Sequence, residues 1–189
     1  MKILCFGDSN TSGYDPRNFF GSRYPAQDRW VDLLGNNLGC TVVNAGENGR
    51  EIPRWARQLD AFTRLLQQEK PLDLLILMLG TNDLLQGNSV AAVLDRMEAF
   101  LGNRNPEWPE ILLIAPPPMQ RGQWVLSQAL ADSSVELNRQ YRALSRRLGV
   151  RFADAGAWNI PLAFDGVHFT GEGHRIFGEK LTELINKGE

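Results

Sequence analysis

The run from Leu72 to Leu79 is apolar except for Asp73, and it stops at Gly80-Thr81-Asn82-Asp83. A short continuous apolar run with no alternation fits a strand buried on both faces, as found at the centre of a parallel sheet with helices on either side. Other short runs repeat the design. Ile3 to Phe6 stops at Gly7, Thr41 to Val43 enters Asn44-Ala45-Gly46-Glu47-Asn48-Gly49, and Ile111 to Ala115 meets Pro116-Pro117-Pro118. Val150-Arg151-Phe152 makes a short fifth run. Between them the apolar residues recur at helical spacing. One set is Trp30, Leu33, Leu34 and Leu38, closed by Gly39 as a C-terminal cap would close it. A second is Ile52, Trp55, Leu59, Phe62 and Leu66, ending before Pro71. The third runs from Val90 to Leu101 with Asn88 or Ser89 as its cap. Leu137, Tyr141, Leu144 and Leu148 form a fourth, and Ile176 to Ile185 a last one capped by Thr170. Strand and helix alternate throughout. This predicts an α/β fold over residues 1–189 as one domain, a three-layer sandwich with a mainly parallel five-stranded sheet.

The bulk numbers exclude several roles. A formal charge of −2 gives no reason to expect nucleic acid or an anionic membrane as partner. No segment approaches the ~20 apolar residues of a membrane span, and the run after Lys2 is too short for a signal peptide. Cys5 and Cys40 make no disulfide framework, so a reducing, cytoplasmic setting is expected.

Right-handed crossovers bring the carboxyl ends of parallel strands to one edge, where open α/β sheets bind ligands. Four polar clusters converge there: Ser9, the Asn44–Gly49 turn, Gly80–Asp83 and Asp165-Gly166-Val167-His168. Ser9 directly after a strand–Gly turn suits a nucleophile, although Ser and Asp are also ordinary helix caps. A nucleophilic serine needs a base within hydrogen-bond reach and a group that orients the base. The chain has two histidines. His168 follows Asp165 by three residues with glycine between, a spacing that lets the carboxylate fold back on the ring. His174, at the start of the last helix, reads as structural or solvent-facing. Backbone N–H groups at Ser9 and Gly49, with the Asn82 amide, are suited to binding an oxyanion. Each cluster alone also fits a plain turn or loop.

Together the clusters resemble the SGNH hydrolases, the GDSL-type esterases and lipases, from end to end. Gly7-Asp8-Ser9-Asn10 is similar to the first family block, with Ser9 as the implied nucleophile. Asn44 to Gly49 resembles the second, where Gly49 is a better oxyanion candidate than Gly46. Gly80-Thr81-Asn82-Asp83 matches the third and Asp165-Gly166-Val167-His168 the last, supplying the triad acid and base. The resemblance implies a flavodoxin-like α/β/α fold with no metal or cofactor. Arg29-Trp30 and Met78 to Asp83 are similar to bacterial arylesterase and lysophospholipase-like members. Asn10 departs from the family's leucine, a change expected to alter helix packing or the pocket floor.

The expected activity is hydrolysis of small acyl esters, acetyl or other short-chain groups on aryl or carbohydrate alcohols, through an acyl-enzyme. An alcohol acceptor would make the same intermediate an acyl transfer. A thioesterase or lysophospholipase of the same family is the near alternative, and a non-catalytic phosphate- or ligand-binding flavodoxin-like module the distant one. Against the last, no phosphate loop or G-x-G-x-x-G follows the first strand. Pocket walls are expected from Asn10, Trp30, Trp124, the loop bearing Tyr14, Phe19, Phe20 and Tyr24, and the segment Met119 to Ser134, which has the makings of a lid. The partner is a small-molecule ester, and a homo-oligomer stays open.

Overall fold

The computed structural model describes residues 1–18 and 21–188, so the expectations for Phe19 and Phe20 lie outside the described residues. Five strands form one sheet: β1 (Lys2–Gly7), β2 (Thr41–Gly46), β3 (Leu74–Met78), β4 (Glu110–Ala115) and β5 (Arg151–Asp154). Their order is β2-β1-β3-β4-β5 and every pairing is parallel. This is the flavodoxin-like order, in which the crossovers diverge on either side of β1 and leave a crevice at the carboxyl edge. Among the described residues, seven α-helices accompany the strands: α1 (Ser9–Ser12), α2 (Trp30–Leu38), α3 (Ala56–Glu69), α4 (Thr81–Leu85), α5 (Val90–Gly102), α6 (Gln128–Leu148) and α7 (Gly171–Lys187).

The sheet divides the core in two, because successive side chains on a strand point to opposite faces. On β3, Leu75 and Leu77 join Phe62 and Leu66 of α3, Val93 and Phe100 of α5 and Leu137 and Leu144 of α6. Leu74, Ile76 and Met78 join Trp30 and Leu34 of α2 and Phe177 and Leu181 of α7. All five β3 side chains are buried, as the unbroken apolar run predicts. Each large side chain withdrawn from water in this way contributes roughly 1.5–3 kcal/mol.

The helix boundaries depart from the periodicity in three places. Helix α3 begins at Ala56, because Ile52 precedes Pro53, which disfavours helical backbone before it. Ile52 is instead a buried loop residue whose N–H donates to Asp83 Oδ2 at 3.0 Å. Helix α6 starts at Gln128, well before its regular apolar stripe, because Ser127 Oγ accepts from the Leu130 N–H. Asn82 and Asp83, expected in a turn, lie in the one-turn helix α4. Of the two caps considered for α5, Ser89 is the one used, and Thr170 caps α7 as expected.

Candidate active site

Strand β1 carries the chain to the carboxyl edge and turns it sharply. A Cβ on Gly7 would stand 2.0 Å from Thr11 Oγ1 and 2.9 Å from the Met78 carbonyl, so glycine is required for this close approach. The cap of α1 is Asp8, whose carboxylate accepts the Asn10 N–H at 3.0 Å. Ser9 is therefore the first helical residue, and its hydroxyl is not engaged in capping. Burial pushes the Asp8 carboxyl up to about 6, against the opposing pull of the Asn10 N–H, His168 and Arg50.

The loop before α7 brings His168 onto the serine. Ser9 Oγ and His168 Nε2 are 2.9 Å apart, and His168 Nδ1 is 2.7 Å from Asp165 Oδ2. The other Asp165 oxygen accepts the N–H groups of Val167 and His168, both at 2.9 Å. Burial raises the Asp165 pKa, but the bonds from the His168 ring and the two backbone amides outweigh it, so the group is held below the ordinary carboxylate value. A carboxylate at Nδ1 makes that nitrogen the proton donor and leaves Nε2 as an acceptor facing the serine. Residues separated by about 160 positions thus form one hydrogen-bonded chain.

Three candidate oxyanion donors lie around the same edge. The amides of Ser9 and Gly49 donate to no protein acceptor among the described residues. Gly49 has φ +75°, a left-handed conformation that favours glycine. Gly46 differs, because its N–H is engaged by Asn44 Oδ1 at 2.9 Å within β2. The Asn82 amide donates to the Arg50 carbonyl at 3.1 Å, which fixes it next to Gly49 and leaves its second N–H unassigned. Arg50 pins this loop in turn. Its guanidinium donates to the carbonyls of Gly7 (2.9 Å) and Ala45, and it lies 4.1 Å over the Phe6 ring. Asp83, fully buried, accepts from Arg96 at 2.8 Å and from the Ile52 N–H. Nothing in the spacing of Arg50 and Arg96 marks them as site residues in the sequence, and Asp8 is visible there only as part of the Gly7-Asp8-Ser9-Asn10 block.

The expected pocket residues divide. Trp124 is 48% exposed and stands edge-on to the His168 ring at 4.9 Å, while Tyr14 approaches that ring to 4.6 Å. Trp30 is not a wall: it is fully buried against Phe177, and its indole N–H donates to the Asn10 carbonyl at 2.8 Å. Its place at the head of α2 in the second apolar layer is the reason. Asn10 is also buried, and its carboxamide is engaged by the backbone of Val167 and Phe169 rather than forming a pocket floor. Tyr24 is buried too, with its hydroxyl on the Phe169 carbonyl. The segment after Met119 is stitched to the loop beside it. Gln120, Gln123 and Trp124 donate their N–H groups to the carbonyls of Gly166, Phe164 and Asp165. His174 is fully buried between Tyr24 and Phe169, so the solvent-facing reading does not hold. Among the described residues no group of three or more His, Cys, Asp or Glu side chains is arranged to hold a metal ion, and no helix is long and apolar enough to cross a membrane.

The sequence matches the GDSL-like lipase/acylhydrolase family over residues 5–176, and the chain belongs to that family. Two solved structures illustrate the likeness. The inhibitor-bound aryl esterase of M. smegmatis is 27% identical with a TM-score of 0.88, covering 98% of each chain. Est24, a carbohydrate acetylesterase from Sinorhizobium meliloti, is 26% identical with a TM-score of 0.87, covering 100% of this chain and 99% of the other. No curated protein matches the sequence. The protein is an ester-hydrolysing serine hydrolase of the SGNH type.

Proposed function

We propose that the protein hydrolyses small acyl esters of aryl or carbohydrate alcohols, with Ser9 as nucleophile, His168 as general base and acid, and Asp165 as the group that orients the imidazole. The observation that carries this reading is the unbroken chain from Ser9 Oγ through His168 to Asp165, at 2.9 and 2.7 Å. Those separations fall within the reach that proton transfer requires. Ser9 Oγ forms a bond to the ester carbonyl carbon as its proton passes to Nε2. The C=O pair moves to oxygen, and the N–H groups of Ser9, Gly49 and Asn82 stabilise that charge. Collapse breaks the bond to the alcohol oxygen, which takes the proton from Nε2. Water then repeats the sequence on the acyl-enzyme, releasing the acid and restoring the Ser9 hydroxyl. Asp165 remains ionised throughout and stabilises the imidazolium.

The activities of the aryl esterase and the carbohydrate acetylesterase support the choice of substrate. So does the Trp124 ring, which offers a partly exposed aromatic face beside His168 for a planar or sugar alcohol. The test is hydrolysis of p-nitrophenyl esters from acetate to dodecanoate by the wild type and Ser9→Ala side by side. Activity on short chains that disappears in the variant is the expected result. Turnover retained by Ser9→Ala would remove Ser9 from the mechanism, and a preference for long chains would overturn the substrate class.

A further inference from the structure

The residue after the nucleophile performs a task beyond packing. Asn10 Nδ2 donates to the Val167 carbonyl at 3.1 Å, and Asn10 Oδ1 accepts the Phe169 N–H at 2.9 Å. These two groups belong to the peptide units on either side of His168. One carboxamide therefore brackets the base from both directions, and it is covalently joined to the serine the base must reach. The bracket is itself anchored. Its backbone N–H donates to Asp8 Oδ1 and its carbonyl accepts from the Trp30 indole, so Asn10 makes four hydrogen bonds and is 4% exposed. The backbone of His168 is held at its other two groups as well, its N–H by Asp165 Oδ1 and its carbonyl by the Ala163 N–H at 2.7 Å.

We infer that Asn10 is a positioning residue that sets the Ser9–His168 distance by fastening the catalytic loop to the nucleophile turn. This rests on the reading of Ser9 and His168 as nucleophile and base. A leucine at this position has nearly the same shape but neither donor nor acceptor. It would leave the Val167 carbonyl and the Phe169 N–H buried and unpaired, so the loop would shift to recover partners. A displacement of His168 near 1 Å costs on the order of 100-fold in rate while barely touching substrate binding. Asp165 stays attached to the loop through two bonds to His168 and one to the Val167 N–H, so the dyad would move as a body and the loss would fall on proton transfer from Ser9.

The experiment compares wild type, Asn10→Leu, Asn10→Asp and Leu144→Ala. The last is a control that destabilises the distant α6 layer. Each is measured for kcat and KM on p-nitrophenyl acetate, for the rate at which a fluorophosphonate labels Ser9, and for thermal midpoint. Asn10→Leu is expected to lose about 10- to 100-fold in kcat with KM within about threefold, and its labelling rate should fall in step. Asn10→Asp keeps the acceptor for Phe169 but loses the donor to Val167, and its loss should be smaller. Leu144→Ala should lower the midpoint and leave kcat within about twofold. A folded Asn10→Leu protein with kcat near the wild-type value overturns the inference. A Leu144→Ala loss matching that of Asn10→Leu at equal midpoint overturns it too. If Asn10→Leu does not fold, Asn10→Asp decides: a reduced kcat supports the bracket and an unchanged one refutes it. A wild type that neither turns over nor takes the label overturns the catalytic reading as well. Equal labelling of wild type and variant overturns the bracket alone.

Discussion

His174 is fully buried, and neither ring nitrogen has a hydrogen-bond partner among the described residues. Burial, with smaller repulsion from His168 and Arg29 and a weak opposing pull from Asp15, lowers its pKa from the ordinary 6.5 to about 3. The unfolded chain therefore binds a proton between about pH 6.5 and 3 that the folded chain refuses. For a depressed pKa the contribution to stability is complete above the unfolded value and is lost as pH falls toward the folded one. The slope is about 1.4 kcal/mol per pH unit, so the 1.5 units from pH 6.5 to 5 remove about 2 kcal/mol. That is a large share of the ~5–15 kcal/mol by which a domain is stable.

Replacement of His174 by Phe keeps an aromatic ring between Tyr24 and Phe169 and removes the titration. The assay is guanidinium unfolding of both proteins at fixed ionic strength, at intervals from about pH 5 to 8. Only the difference between them is read, so that other titrating groups cancel. At neutral pH the variant should be at least as stable as wild type, since no imidazole hydrogen bond is given up. Below about pH 6.5 its advantage should widen by about 1.4 kcal/mol per unit. A difference that stays flat across this range would show that the imidazole accepts a proton in the folded state, and the reasoning from burial would fail.

Asp8 titrates with the opposite sign, because its folded pKa is raised from 3.8 to about 6 and its contribution is lost as pH rises through that window. Asp8→Asn, which keeps the cap acceptor, should therefore exceed wild type by about 3 kcal/mol above pH 6 and match it near pH 4, read by the same unfolding assay. Asn82→Ala removes the proposed oxyanion donor and should lower kcat by about 10²–10³ with little change in KM; an unchanged kcat would take Asn82 out of the oxyanion hole. Arg96→Met strands the buried Asp83 carboxylate and should cost about 3–5 kcal/mol, seen as a drop in thermal midpoint. A midpoint unmoved by that change would mean that the Ile52 N–H alone satisfies Asp83.

The apolar runs announced the layers because a strand buried on both faces and a helix buried on one leave different periods in the sequence, as β3 and α7 do. The four polar clusters were legible because each follows a strand end or precedes a capped helix, and parallel strands deliver their ends to one edge. What the sequence hid depends on side-chain direction. Trp30 looks like a pocket aromatic beside Arg29, yet the first turn of α2 aims it into the core between the sheet and α7. Asn10 reads as a change in helix packing or the pocket floor, yet its side-chain partners lie 157 and 159 residues away. Arg50 follows Gly49 by one position, and only the fold shows its guanidinium joining the ends of β1 and β2.

Among the described residues, all the buried polar side chains outside α6 belong to this one edge: Asp8 to Thr11, Thr81, Asp83, Asp165, His168 and His174. Several lack compensation, since Thr11 Oγ1 and both His174 nitrogens are unpartnered and Asp8 is pushed toward its neutral form. Such groups lower stability wherever they occur. They are tolerated here because stability originates elsewhere, in the two apolar layers on either side of the sheet. The division has a chemical purpose. A general base must face its serine in a site where water does not compete for the proton, and a developing oxyanion is bound more tightly by fixed N–H groups in a dry surround than in solvent. Burying the edge achieves both, and it places Asp8 and His174 in the same low dielectric without giving either a full set of partners. Between about pH 4 and 6 the two act with opposite slopes of similar size. The contributions of these two groups to wild-type stability should therefore largely cancel across a window in which either single variant, Asp8→Asn or His174→Phe, exposes the titration of the group that remains.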